Sequence, residues 1–119
     1  MIKRKAHKSH LLDMTERARM IIEDNPIAIA TINDGEPHVA AASYAKVTGN
    51  RIILSVIHMK KTIENIRNNP RVSLIVWNHD WAGYQIDGIA EYFDSGEWME
   101  GESCKGALVI NIEKIQEIV

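Results

Sequence analysis

The segment His58-Met59-Lys60-Lys61-Thr62 carries the clearest chemistry in the chain, because it stands where an apolar strand pattern gives way to a helical one. The first turn of a helix presents N–H groups without intrahelical partners and a partial positive charge. Two lysines and a hydroxyl at this turn add donors for a dianion. The pattern favours a phosphate monoester held by Lys60, Lys61 and Thr62. The alternative is that Thr62 caps the helix while both lysines are solvated.

The other reactive side chains form no pattern that predicts catalysis or metal binding. The five histidines never stand at metal-ligand spacing, and Cys104 has no CxxC partner or adjacent histidine. Asp87 and Glu91 can share one face of a strand, but nothing else supports a general acid–base pair. Hydrolysis is disfavoured because no nucleophile-elbow glycines flank the strand serines Ser43, Ser55 and Ser73. We therefore predict no catalytic residue and no metal site.

Three aromatic residues, Trp77, Trp81 and Tyr84, stand close together in the second half of the chain. Two interpretations are open. They could stack on a flat ring, or they could fill the core and its rim.

Length and charge restrict the class of protein to which the chain can belong. The chain has 119 residues, which predicts a single domain over 1–119 with a basic tail at 1–10. A net charge of −2 gives no global field for nucleic acid or an anionic membrane. No apolar run approaches the roughly 20 residues of a membrane span, and no signal-like apolar stretch follows the tail. We expect a cytoplasmic protein. The acidic stretch 87–102 either faces solvent or meets the basic tail.

Two helices and six strands must position these residues. The first helix is predicted at 13–24, with Asp13 as N-cap and Glu16 completing a capping box, and with Asn25-Pro26 ending it. A second, short helix is predicted at 60–69. The strands are predicted, from β-branched and apolar patterns, at 27–32, 37–47, 51–57, 72–77, 84–93 and 107–112. The third strand is apolar enough to be buried on both faces. Short strands joined by tight turns favour a small closed antiparallel barrel with helices over its openings.

Four segments in order resemble the FMN-binding split-barrel family, the small flavoproteins related to pyridoxamine 5′-phosphate oxidase. Residues 58–62 read His-Met-Lys-Lys-Thr, 68–71 read Asn-Asn-Pro-Arg and 87–90 read Asp-Gly-Ile-Ala. The similar segments are 30–38, 43–52, 58–74 and 84–91, with a weaker echo at 106–110. The form of residues 59–62 is most similar to the compact FMN-binding proteins of anaerobic microbes.

The resemblance implies a mainly β fold: a six-stranded antiparallel split barrel of Greek-key type, with an N-terminal helix and a short helix after the third strand. It also implies a homodimer with FMN at the subunit interface. Lys61 and Thr62, adjoined by Lys60, fall where the family holds the phosphate. The strand that runs along the cofactor corresponds to Ser55, Val56 and Ile57. The strand whose main-chain N–H groups pass the isoalloxazine edge corresponds to Ala41, Ala42 and Ser43.

The sequence also departs from the oxidases of that family. Ala41 stands where they carry an arginine, and no C-terminal tryptophan and Arg-His motif follows Gly106. Lys46 matches their substrate-contacting lysine, but its companions are absent. The resemblance therefore implies an FMN-dependent oxidoreductase of flavin-reductase type or an electron carrier, not a pyridoxamine phosphate oxidase. Ser103 stands where the compact members often place an aromatic near the ring.

Two other functions stay open on the sequence. The same fold could bind a deazaflavin such as F420 or a haem, with the cationic cluster holding another phosphate or a propionate. Alternatively, a small barrel could stack single-stranded nucleic acid on its aromatic residues, although the acidic stretch opposes this.

Overall fold

The computed structural model describes residues 4–6, 15–42, 45–56, 59–96 and 106–118. These residues form eight strands and two helices. The elements are β1 (Arg4–Ala6), α1 (Glu16–Asp24), β2 (Ile27–Asn33), β3 (Glu36–Ala42), β4 (Ala45–Thr48), β5 (Arg51–Val56), α2 (Lys60–Asn68), β6 (Arg71–Trp77), β7 (Gly83–Phe93) and β8 (Gly106–Ile118).

Seven strands form one antiparallel sheet in the order β3-β2-β6-β7-β8-β5-β4, and the short β1 pairs with β8 beside this path. Within the described residues the end strands β3 and β4 are not paired with each other, so the sheet is open. The prediction of a closed barrel is therefore wrong, and so is the count of six strands. The split, mainly antiparallel architecture and the helix after the third predicted strand are confirmed.

The extra strand arises from one predicted strand that the chain divides in two. Residues 37–47 read as a single run, but β3 ends at Ala42 and β4 begins at Ala45 on the opposite end of the sheet. The last strand is predicted from the sequence at 107–112. It continues to Ile118 because its second half also pairs with β7, with a register shift at Asp87/Gly88.

Helix α1 begins later than predicted. Its N-cap is Thr15, whose side-chain oxygen accepts a hydrogen bond from the N–H of Ala18 at 3.1 Å. The prediction of Asp13 as N-cap is therefore wrong, and Asp13 itself lies outside the described residues. The helix turns Ala18, Ile21 and Ile22 into the core.

Helix α1 also protects the free edge of β4. The N–H of Val47 donates to Oε2 of Glu23 at 2.7 Å, and the carbonyl of Val47 accepts from the guanidinium of Arg19 at 3.1 Å. An unpaired strand edge otherwise invites pairing with another chain. These two side chains take the place of a neighbouring strand on one side of the opening.

The core fills the inside of the open barrel. Its largest fully buried side chains come from α1 and from six strands, and they include Ile22, Ile29, Leu54, Leu74, Ile86 and Leu108. A second, small cluster lies on the other face of β5 and β8, where Ile53, Ala107 and Val109 are buried. Strand β5 is thus buried on both faces, as its apolar sequence predicts.

The outer side of β3, β2 and β6 carries small and branched apolar residues. Ala28 lies between Ala41 and Ile75 in register, and Ala30 lies between Val39 and Ser73. These side chains point away from the core, and Val39 is 65% exposed. We call this surface the alanine face; it consists of Ala28, Ala30, Val39, Ala41 and Ile75.

Candidate functional site

Among the described residues, no side chain caps the start of α2. Met59 is the N-cap residue and makes no side-chain hydrogen bond, whereas the first intrahelical bond runs from the N–H of Ile63 to the carbonyl of Met59 at 2.9 Å. The alternative prediction that Thr62 caps the helix is therefore wrong. An uncapped start leaves the first-turn N–H groups able to receive an anionic ligand.

The three side chains of this first turn differ in exposure. Lys60 and Lys61 are exposed, so both ammonium groups are available at the surface. Thr62 is fully buried, and its Oγ1 has no hydrogen-bond partner among the described residues. A buried hydroxyl without a partner is costly, so the helix start holds hydrogen-bonding capacity that this part of the chain does not use.

A second buried polar residue fixes α2 to the sheet. The side-chain amide of Asn65 donates to Oγ1 of Thr31 on β2 at 3.0 Å, and both residues are buried. Nearer the end of the helix, the guanidinium of Arg67 lies 5.6 Å from the ring centroid of Tyr92 on β7. These contacts set the position of the lysine-bearing turn relative to the barrel.

We predict that Thr31→Val lowers the free energy of unfolding by about 1–3 kcal/mol, because it leaves the Asn65 amide buried without an acceptor. Chemical denaturation of the two proteins measures the difference. Thr31→Ser keeps the hydroxyl and is the control. Equal stability of Thr31→Val and wild type would show that this hydrogen bond does not hold the helix.

The residues predicted to line the cofactor fall into two groups. Ala41 is exposed on the alanine face and Ser55 is half-buried, so their side chains are accessible. Ala42 and Val56 are buried in the core, which leaves only their main-chain groups for a ligand. The remaining two predicted residues, Ser43 and Ile57, lie outside the described residues.

The strand ends that carry these residues converge near the opening of the sheet. Strand β3 contacts both β5 and α2. Ala42 ends β3 three residues before Ala45, which pairs with Leu54 on β5. The end of β5 then leads within four residues into α2 at Lys60. The predicted ring-contacting and phosphate-contacting segments are therefore neighbours in the fold.

The aromatic residues divide between the two interpretations offered by the sequence. Tyr84 is buried in the core. Trp77 and Trp81 are 45% and 65% exposed, and their rings are parallel within 3° with centroids 6.4 Å apart. Of the three residues, Trp77 and Trp81 are therefore the ones exposed for stacking on a flat ring.

The sequence analysis missed a polar cluster beside the alanine face. The hydroxyl of Ser73 donates to Oδ1 of Asp87 at 2.6 Å, and the amide of Gln85 lies 3.3 Å from the Ser73 hydroxyl. The alternation of β6 and β7 could have placed these residues on one face, but only the register shows that they meet. Asp87 thus pairs with Ser73, and the exposed Glu91 lies four residues further along β7.

Two negative observations concern the described residues alone. No three histidine, cysteine, aspartate or glutamate side chains within them lie together as a metal site. Neither described helix has the length and apolarity needed to cross a membrane.

The open path of seven strands, with α2 joining β5 to β6, defines a split-barrel protein. The family described as pyridoxamine 5′-phosphate oxidase matches residues 14–116. The chain belongs to this family, which confirms the resemblance found in the sequence. An uncharacterized protein of Methanocaldococcus jannaschii is 32% identical, and the match covers 91% of this chain and 83% of that protein.

Solved structures share the fold at low identity. A HupZ structure from Group A Streptococcus has a TM-score of 0.77 at 19% identity and covers 87% of this chain and 98% of its own. An FMN-binding protein from Syntrophomonas wolfei has a TM-score of 0.73 at 21% identity, covering 90% of this chain and 85% of its own. These likenesses establish the architecture.

Proposed function

We propose that this protein is a homodimeric flavoprotein that binds FMN and uses it for electron or hydride transfer. The observation that carries the proposal is the start of α2, which combines two exposed lysines with a first turn and a buried hydroxyl for which the described residues offer neither cap nor partner. Family membership supports the choice of a flavin, and so does the fold shared with an FMN-binding protein.

The phosphate of the cofactor would lie at the first turn of α2. The ammonium groups of Lys60 and Lys61 would neutralise its charge, and the first-turn N–H groups would donate hydrogen bonds. The Thr62 hydroxyl would donate as well, which gives this buried group a partner that the described residues do not offer. The Asn65–Thr31 bond would keep the turn in place when the ligand binds.

The flavin ring would lie beside the ends of β3 and β5. Ala41 leaves room there because its side chain is a single methyl group, and the main chain of Ala42 and Ser43 would hydrogen-bond the ring edge. Ser55, Val56 and Ile57 would line the stretch between ring and phosphate. When bound, the flavin supplies the redox chemistry itself, and the protein anchors it, covers one face and excludes water.

Two copies would pair through the alanine face. Sheet faces that carry small side chains can approach each other closely. Exposed apolar faces of this kind mark interaction sites. A barrel this small is filled by its own core, so a planar ring at its surface needs a second surface to cover it. The interface would supply that cover.

We expect the purified protein to bind FMN at a saturable site. Titration of FMN with apoprotein, followed by flavin fluorescence, should show quenching that saturates at one FMN per chain in the micromolar range or below. A preparation that is yellow and releases a chromophore with the mass of FMN gives the same result directly. Absence of saturable quenching at micromolar flavin would contradict the proposal.

The absorption spectrum of the freshly purified protein separates the other ligands. A deazaflavin or a haem has an absorption spectrum unlike that of FMN. Either spectrum would mean that the same fold binds a different cofactor. Oligonucleotide binding that weakens steeply with salt would instead indicate a nucleic-acid module. No described residue favours any of these alternatives over FMN.

A further inference from the structure

Trp81 occupies a strained backbone conformation while most of its indole faces solvent. Its φ is +63°, in the left-handed region that a bulky side chain rarely adopts. A tight turn holds it there: the N–H of Trp81 donates to the carbonyl of Asn78 at 3.0 Å, and the N–H of Asn78 donates to the carbonyl of Ala82 at 2.9 Å. The Asn78 side chain accepts from two further N–H groups of the turn.

This turn places Trp81 parallel to Trp77 without burying either ring. The two indoles, with Ile75 and Ile118, line an apolar cleft of about 110 Å³. Within the described residues both indoles stay partly exposed, because the turn holds Trp81 where neither ring is buried. Exposed aromatic side chains of this size are typical of contact surfaces.

The tryptophan pair continues the alanine face. Ile75 belongs to that face, and Trp77 lies two residues further along β6 with its side chain on the same side. One surface therefore carries a protruding aromatic pair and a floor of small side chains. An isologous dimer requires such a self-complementary surface, because the same surface of both copies forms the interface and the protruding part of one copy must fit the recessed part of the other.

We propose that the Trp77–Trp81 pair is the wall that each subunit contributes to the flavin site of its partner. The flavin ring would lie between the partner subunit's indoles and the floor next to Ala41. Each site would then consist of a phosphate anchor at α2 from one chain and an aromatic wall from the other. This inference rests on the proposed function and adds a residue pair that the anchor alone does not require.

Mixed dimers test the proposal. One variant, Lys60→Ala with Lys61→Ala, removes the anchor at two exposed positions. The other, Trp77→Thr with Trp81→Asn, removes the wall, and each new residue suits its backbone: threonine favours strands, and asparagine tolerates positive φ. Each homodimer should bind FMN at least tenfold more weakly than wild type, the size expected when stacking on a flat ring is lost.

Heterodimers of the two variants, isolated with two different affinity tags, should recover one site of wild-type affinity for every two chains. That site combines the intact anchor of one chain with the intact wall of the other. A wall acting within its own chain would leave no intact site, and this outcome overturns the proposal. Wild-type affinity in the Trp77→Thr, Trp81→Asn homodimer overturns it as well, as does a wild-type protein that sediments as a monomer.

Three controls separate this test from the test of the proposed function. Wild-type protein is titrated first, so a failure to bind FMN is seen there and not in the mixed dimers. Met20→Ala removes another exposed apolar side chain, on α1, and should leave FMN affinity unchanged. Trp77→Phe with Trp81→Phe keeps two aromatic rings and should retain most of the affinity.

Discussion

Replacing Lys61 and Thr62 together by alanine is expected to weaken FMN binding by about 2–4 kcal/mol, or roughly 30- to 700-fold. Charge-assisted hydrogen bonds to a phosphate are the strongest contacts that the proposed site offers. Lys61 supplies an exposed cation, and Thr62 a buried hydroxyl that has no described protein partner. Fluorescence titration of wild-type and variant apoprotein measures the change.

Riboflavin provides the matched ligand for this prediction, because it lacks the phosphate and keeps the ring. The double variant and the wild type should bind riboflavin with similar affinity. Lys114→Ala removes an exposed lysine on β8 and should leave FMN binding unchanged. If the double variant lost riboflavin and FMN affinity equally, the two residues would act on the ring or on the fold, and the phosphate assignment would be wrong.

The second large effect is expected from Gly88→Ala, which should lower the free energy of unfolding by about 3 kcal/mol. Gly88 lies at the register shift between β7 and β8. A Cβ there would overlap the main-chain carbonyl oxygen of Asn111 and press on the side chain of Ile110. Because the obstacle is backbone within the sheet, a side-chain rotation cannot relieve it.

Thermal unfolding followed by circular dichroism measures this effect. A loss of about 3 kcal/mol should lower the melting temperature by roughly 10 °C in a domain of this size. Glu91→Ala changes an exposed residue of the same strand and should alter the melting temperature little. If Gly88→Ala and the control had the same melting temperature, the strands could move apart at the register shift without loss of stability.

Only the part of the site formed by residues that are neighbours in the sequence could be predicted from the sequence. Lys60, Lys61 and Thr62 are consecutive, and a helix start is a local feature, so their proximity follows from the chain itself. Burial is different. Thr62 and Ala42 turn inward because of what α2 and β3 pack against, and no residue pattern at these positions distinguishes them from their exposed neighbours Lys61 and Ala41.

By itself, the sequence determined the class of this protein: a mainly antiparallel β fold in a recognisable family, with one helix before the first predicted strand and another after the third. Alternating apolar residues and turn signals suffice for this, because strands and hairpins form between neighbours in the chain. Only the tertiary structure decided that the sheet stays open, that residues 37–47 serve both of its ends, and that β8 runs on to Ile118. These features depend on pairing between strands that are distant in the sequence. Contacts across the whole sheet together decide which strands pair, and a local sequence pattern does not contain this information.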